Sequence, residues 1–190
     1  MGRSGKLFAF EYADIVPDVL LLSKAIGGSQ PMAVVVYKKE LDKWTAGAHA
    51  GTFRGNQLAM KAGSITLNRV SQPDFLADVV RKGDNIRAHL RELQKKVSII
   101  GDVRGQGLMV GTEFVDPKGQ KDCIGSLPAS GEIAGAVQKL CFENGLIIEK
   151  GGRNGAVMRC LCALNISNED LSKAWDIFEK CVLEINEKYK

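Results

Sequence analysis

The sequence predicts an α/β protein, and three observations carry that prediction. Short apolar runs at residues 19–22 and 32–37 are continuous and rich in β-branched residues. Such runs suit strands buried on both faces, as in a parallel or mixed sheet. Leu76, Val79, Val80, Ile86, Leu90 and Leu93 share one stripe at the 3.6-residue period of an amphipathic helix. Glycine is in excess, at 21 of 190 residues, and the glycines bunch with polar residues between the periodic segments. That is how turns punctuate an alternating fold.

Each element follows in order. Val19-Leu20-Leu21-Leu22 ends at Ser23-Lys24, and Gly27-Gly28 and Pro31 separate it from the second apolar run. Residues 46–56 are rich in Gly, Thr, His and Asn and read as loop. From Gln57 to Val70 the only breaker is Gly63, so a helix is predicted, and Pro73 opens a second one. Residues 97–115 alternate apolar and small residues through Arg104-Gly105-Gln106-Gly107, as an antiparallel strand pair or a bulged strand does. Ser130 is placed to N-cap a helix whose inner face is Ile133, Ala134, Val137, Leu140 and Cys141, closed by Asn144-Gly145. Leu146-Ile147-Ile148 and residues 157–164 read as two further strands, parted by Gly151-Gly152-Arg153-Asn154-Gly155. Ser167 caps a last helix with Leu171, Trp175, Phe178, Val182 and Ile185 inward. Residues 73–190 therefore read as a small α/β domain. Residues 1–72, strands with a single helix, read as the C-terminal remnant of a larger one.

Composition narrows the function classes. Hydrophobic residues make up 45% and charged residues 25%, the balance of a globular protein with a real core. The net charge of +4 is mild and spread along the chain, which argues against a nucleic-acid partner. The longest apolar run, residues 32–37, is far short of the roughly 20 residues a membrane helix needs. The start, Gly2-Arg3-Ser4-Gly5, has no apolar core of a signal peptide. Five cysteines, an odd number without an export signal, fit reduced thiols in a cytoplasmic protein better than a disulfide framework. Cys160 and Cys162 form a C-x-C pair, but no further metal ligands lie near in sequence, so buried small side chains are expected.

Four positions raise chemistry. Lys24 ends an apolar strand before a small-residue turn. Held where water is scarce, its amine would be free to attack carbonyls; otherwise it is a solvated lysine at a strand end. Gly51-Thr52-Phe53-Arg54-Gly55-Asn56 opens a helix, and is either a plain capped start or an anion site of backbone amides and the Thr52 hydroxyl. Arg159 lies between apolar neighbours on a strand and should meet a carboxylate, structural or from a substrate. Arg104, flanked by glycines, reads as part of a structural turn.

Taken together, these segments resemble the class III aminotransferases, pyridoxal 5'-phosphate (PLP) enzymes of fold type I. The matching blocks are Gly2-Arg3-Ser4-Gly5-Lys6, Leu22-Ser23-Lys24-Ala25-Ile26-Gly27-Gly28, Gly51-Thr52-Phe53-Arg54-Gly55-Asn56-Gln57, Val103-Arg104-Gly105-Gln106-Gly107 and Val157-Met158-Arg159. They run end to end in family order. The Thr-Phe-Arg-Gly-Asn form and Glu149-Lys150-Gly151-Gly152-Arg153 look most like the branch that transfers an amino group from L-2,4-diaminobutyrate to 2-oxoglutarate. Related branches act on ornithine, acetylornithine or 4-aminobutyrate.

The resemblance implies the end of the large-domain mixed sheet plus the small domain, and three residue roles. Lys24 would hold the cofactor covalently and shuttle the substrate proton. Thr52 would reach the PLP phosphate across a dimer interface, and Arg159 would hold a substrate carboxylate. It implies an amino-acid donor with 2-oxoglutarate as acceptor, and either a homodimer with shared active sites or a separate N-terminal half chain. No nucleic acid or membrane is expected. The family's aspartate for the pyridinium nitrogen, its phosphate loop and its stacking aromatic precede the block at which this sequence starts. The 190 residues by themselves are therefore not expected to transaminate. A rival from another class is a non-catalytic dimerisation or regulatory fragment. Retention of Lys24, Thr52 and Arg159 together argues against it.

Overall fold

The computed structural model describes residues 1–190, which divide into two compact units. One comprises Met1–Gly2 with Lys6–Ala77, the other Arg3–Gly5 with Asp78–Lys190. No helix is long and apolar enough to cross a membrane.

In the first unit, β1 (Val19–Leu22) pairs antiparallel with β2 (Val34–Tyr37), from Val19 opposite Tyr37 to Leu22 opposite Val34. The runs fall where the sequence puts them, but their expected burial on both faces does not hold. Val19, Leu21, Val35 and Val36 are exposed. The connection, residues 23–33, is spent on a 3₁₀ turn at Lys24–Gly27, the turn at Gly28–Ser29 and the bend at Gln30. It reverses the chain, whereas a parallel return needs a crossover of a dozen or more residues, usually helical. α1 (Gln57–Val70) follows the long loop and runs unbroken through Gly63. Gly63 is there for packing: a Cβ on it would sit 2.1 Å from the Ile26 carbonyl oxygen and 2.9 Å from the Met32 methyl. Gly28, at φ +65°, leaves no room either, since its Cβ would meet that of Ala62 at 2.9 Å. The α1 helix thus lies directly on the 3₁₀ turn, with Ile26, Gly27, Ala59 and Gly63 buried between them.

α2 (Pro73–Lys96) crosses the boundary between the units at Ala77 and Asp78. In the second unit a four-stranded antiparallel sheet has the order β3-β4-β6-β5, with β3 (Ile100–Gln106), β4 (Met109–Phe114), β5 (Glu149–Gly151) and β6 (Val157–Cys160). Residues 97–115 are both an antiparallel pair and bulged, the register slipping between Ile100 and Asp102. Along β4, Val110, Thr112 and Phe114 are buried. That face joins Ile86, Leu90 and Leu93 of α2, Ile133 and Val137 of α3 (Gly131–Glu143), and Phe178 and Val182 of α4 (Asn168–Tyr189) in one core. Phe178 takes an edge contact from Phe114 at 6.5 Å and from Trp175 at 5.4 Å. Ser130 and Ser167 cap α3 and α4 as read, accepting from the amides of Ile133 and Asp170.

Three local expectations are corrected. The strand placed at Leu146-Ile147-Ile148 starts three residues later, at Glu149. The C-terminal cap of α3 claims the earlier residues: Leu146 N–H donates back to Cys141, and Gly145 takes φ +86°. β6 ends at Cys160, opposite Val110, instead of running to residue 164. Arg104 is not in a turn but inside β3, ion-paired with Asp102 and Glu113 at 2.7 Å each. The alternation of the strand puts 102 and 104 on one side, and Glu113 is the diagonal neighbour. The turn lies three residues on, where Gly107 at φ +52° would drive a Cβ to 2.5 Å from the Arg3 carbonyl oxygen. Arg3 and Leu108 exchange hydrogen bonds there, which ties Arg3–Gly5 to the second unit.

Candidate active site

Lys24 follows β1 at the first position of the 3₁₀ turn, and its backbone is the unusual feature of the first unit. It adopts φ +57°, one of only three non-glycine residues in the left-handed region. A lysine there costs on the order of 1–3 kcal/mol and persists only where the surroundings hold it. The surroundings are known: α1 clamps the turn through Gly63 and Ala62, and Gly28 N–H closes it onto the Ala25 carbonyl. The expected water-poor setting is not provided by this unit, because Lys24 is exposed. Strained backbone, not burial, sets this lysine apart.

Lys24 opens onto a depression of about 1020 Å³ lined also by Met32, Val34, Thr52, Arg54, Asn56 and Met60. Lys24 and Thr52 are therefore brought to one hollow. Its lining carries two cations, Lys24 and Arg54, and no carboxylate. Arg54 lies with its stem over Gly51, where a Cβ would come within 3.1 Å of its Cγ and Cδ. Its part in the site was not read from the sequence, although its place beside Thr52 was the available signal. The amides at the start of α1 are not left for an anion. Asn56 caps the helix and accepts from the N–H groups of Leu58 and Ala59, so the plain capped start is what forms. The side-chain donors that the hollow offers are the Thr52 hydroxyl, the Lys24 ammonium and the Arg54 guanidinium.

Arg159 belongs to the second unit, in β6, directly opposite Glu149 of β5. Its Nη2 is ion-paired with Glu149 Oε1 at 2.5 Å, with the side chains 38% and 50% exposed. The carboxylate it meets is a structural one. Gly151 makes room for the guanidinium, since a Cβ there would stand 3.1 Å from Nη2 and 3.4 Å from Nε. Nε is buried without a hydrogen-bond partner. A substrate carboxylate would reach this guanidinium only by displacing Glu149. Glu149 was visible only as part of a motif; its role appears with the strand register.

The chain belongs to the class-III aminotransferases: the model of that family matches residues 1–182. Within it, the chain is similar to the diaminobutyrate–2-oxoglutarate aminotransferase of Haemophilus influenzae, 44% identical over 182 residues that cover 96% of this chain and 40% of the relative. The enzyme of the same name from Rhizobium meliloti is 48% identical over 173 residues, covering 91% of this chain and 37% of its own length. The chain thus spans about 40% of the length of the curated relatives it matches. Among solved structures, an ornithine aminotransferase from Toxoplasma gondii, described with partial PLP occupancy at its active site, superposes with a TM-score of 0.82 at 27% identity. That match covers 99% of this chain and 42% of the other. The partial fold type I architecture expected from the sequence is the one observed.

Proposed function

We propose that this chain is the C-terminal portion of a PLP-dependent aminotransferase that moves the amino group of L-2,4-diaminobutyrate to 2-oxoglutarate, giving aspartate 4-semialdehyde and glutamate. The observation that carries the reading is Lys24: a lysine held in the left-handed region by a clamped turn, facing a carboxylate-free hollow with Thr52 and Arg54. Lys24 supplies an amine that fits the aldehyde of a phosphorylated cofactor, and Thr52, beside Arg54, supplies a hydroxyl that fits the phosphate of the cofactor in a second subunit. PLP, when bound, supplies the electron sink that stabilises negative charge at the amine-bearing carbon.

The chain's own residues do the rest. Lys24 Nζ would hold the cofactor and would move the proton at the amine-bearing carbon of the substrate. Thr52 is exposed and would reach the cofactor phosphate of a second subunit, with Arg54 two residues on as a neighbouring cation. Arg159 would hold a substrate carboxylate with its guanidinium, exchanging Glu149 for it. Exposed Phe53, Leu58 and Ile65, beside and on α1, support a homodimer with shared sites. Residues 1–72 then serve as part of the cofactor domain and 73–190 as the small domain, in a cytoplasmic enzyme.

The test is glutamate formation by the full-length enzyme with L-2,4-diaminobutyrate, ornithine, N-acetylornithine and 4-aminobutyrate as donors. The highest kcat/KM is expected with diaminobutyrate, and Lys24→Ala should lose both turnover and the visible absorbance of bound cofactor. A preference for another donor would move the chain to that branch. Turnover surviving Lys24→Ala would overturn the assignment of the lysine.

A further inference from the structure

The C-x-C pair at the end of β6 has no part in the chemistry above. Cys160, opposite Val110, is 8% exposed; Cys162 lies two residues on, past the ladder, and is half-buried. Their sulfurs are 3.8 Å apart, with the Cys160 thiol donating to Cys162 Sγ. Both line a depression of about 280 Å³ walled by Leu146, Ile148 and Trp175, so a small molecule has access to them. The remaining cysteines lack this combination. Cys141 and Cys181 touch each other but are buried, and burial pushes the Cys141 thiol up to about 12. Cys123 is exposed on a loop.

We infer that Cys160 and Cys162 form a thiol–disulfide exchange site for small-molecule disulfides, with Cys162 attacking and Cys160 resolving. The electrostatics agree with the assignment of roles. The hydrogen bond from Cys160, with the cations of Arg3 and Lys82, holds the Cys162 thiol below the ordinary range against the opposing effect of burial. The same bond and burial raise Cys160. The thiolate is the nucleophile, so the more acidic and more accessible sulfur attacks first.

The steps balance. Cys162 thiolate attacks one sulfur of the small disulfide RSSR; the Cys162–SR bond forms, the S–S bond breaks and RS⁻ leaves. Cys160 Sγ, losing its proton to solvent, attacks Cys162 Sγ and expels the second RS⁻. Two protein thiols are oxidised, one small disulfide is reduced to two thiols, and the two protons end on the released thiolates. Closure brings the sulfurs from 3.8 Å to a bond length of about 2.05 Å. The disulfide forms on the segment that directly follows Arg159.

The experiment treats the folded, reduced full-length protein with oxidised glutathione near neutral pH, then quenches with acid, alkylates and digests with trypsin. Both thiols fall in one tryptic peptide, residues 160–173. That peptide should lose alkylation at both cysteines and be lighter by two hydrogens, before Cys123 is appreciably glutathionylated, and dithiothreitol should restore it. Cys160→Ser should trap glutathione on Cys162, whereas Cys162→Ser should leave Cys160 largely alkylated. Full alkylation of both thiols under exposures that modify Cys123 would show that the pair is only core filling. Absence of a trapped mixed disulfide in the Cys160→Ser protein would refute the order of attack.

Discussion

Arg159 and Glu149 stand directly opposite each other across the β5–β6 ladder and are ion-paired, Nη2 to Oε1, at 2.5 Å. Glu149 therefore occupies the guanidinium proposed to hold a substrate carboxylate. Partly exposed pairs of this kind are worth about 0–1 kcal/mol, which caps the competition at roughly fivefold in affinity. In the full-length enzyme, Glu149→Gln should lower KM for 2-oxoglutarate about two- to fivefold. A rise in KM would mean that Glu149 orients the guanidinium instead of competing for it. Arg159→Lys loses the planar fork and should raise the same KM by about tenfold or more, the loss of roughly 1.4 kcal/mol of bidentate binding.

Backbone strain at Lys24 separates activity from stability. Both Lys24→Ala and Lys24→Gly remove the amine and should abolish turnover. Only glycine accepts φ +57° without steric cost, so the glycine variant should be the more stable of the two, by about 1 kcal/mol. Urea unfolding of the two variants reads this directly. Equal midpoints would mean that the turn relaxes once the lysine is gone.

Gly63→Ala places a methyl 2.1 Å from the Ile26 carbonyl oxygen, and although the Met32 methyl at 2.9 Å can move aside, the Ile26 backbone has little room to yield. Overpacking of this kind costs about 1–3 kcal/mol. Because the clash falls on the turn that carries Lys24, kcat should fall with stability. Denaturant unfolding and turnover measured on the same preparation check both.

Asp78 and Lys82 form an ion pair at 2.6 Å on α2, and the Lys82 ammonium, only 7% exposed, also donates to the Ile166 carbonyl at 2.7 Å. The hydrogen bond from Lys82 is the chief cause holding the Asp78 carboxyl below the usual range, with Arg81 adding to it. A depressed carboxylate stabilises the fold above its unfolded value, near pH 4, and that contribution disappears as pH falls through the lower native value. Asp78→Asn leaves the ammonium with neutral acceptors only and, discounted for an Asp78 side chain that is 38% exposed, should cost about 1–2 kcal/mol at pH 7. Stability measured from pH 7 down to pH 3 should show the variant and the parent converging at the acid end.

Elements whose stop and start signals are local were legible in the sequence. Helix α1 begins and ends at the predicted residues because the Asn56 side chain caps amides two and three residues away. Ser130 and Ser167 work in the same way, each within three residues. Strand ends were less legible. β5 begins at Glu149 only because the α3 cap consumes Leu146, and β6 stops where it runs out of pairing with β4.

The sequence by itself determined the class of fold, the helices, the candidate residues Lys24, Thr52 and Arg159, and the family they resemble, because these are carried by residue type, period and spacing. Tertiary structure decided everything that depends on distant partners. Arg3 meets Leu108 across 105 positions, Glu149 meets Arg159 through a register, and Gly63 meets Ile26 through helix packing. The left-handed backbone of Lys24 belongs with these. No local preference of a lysine produces it; the clamp of α1 does, and a clamp exists only once the chain has folded.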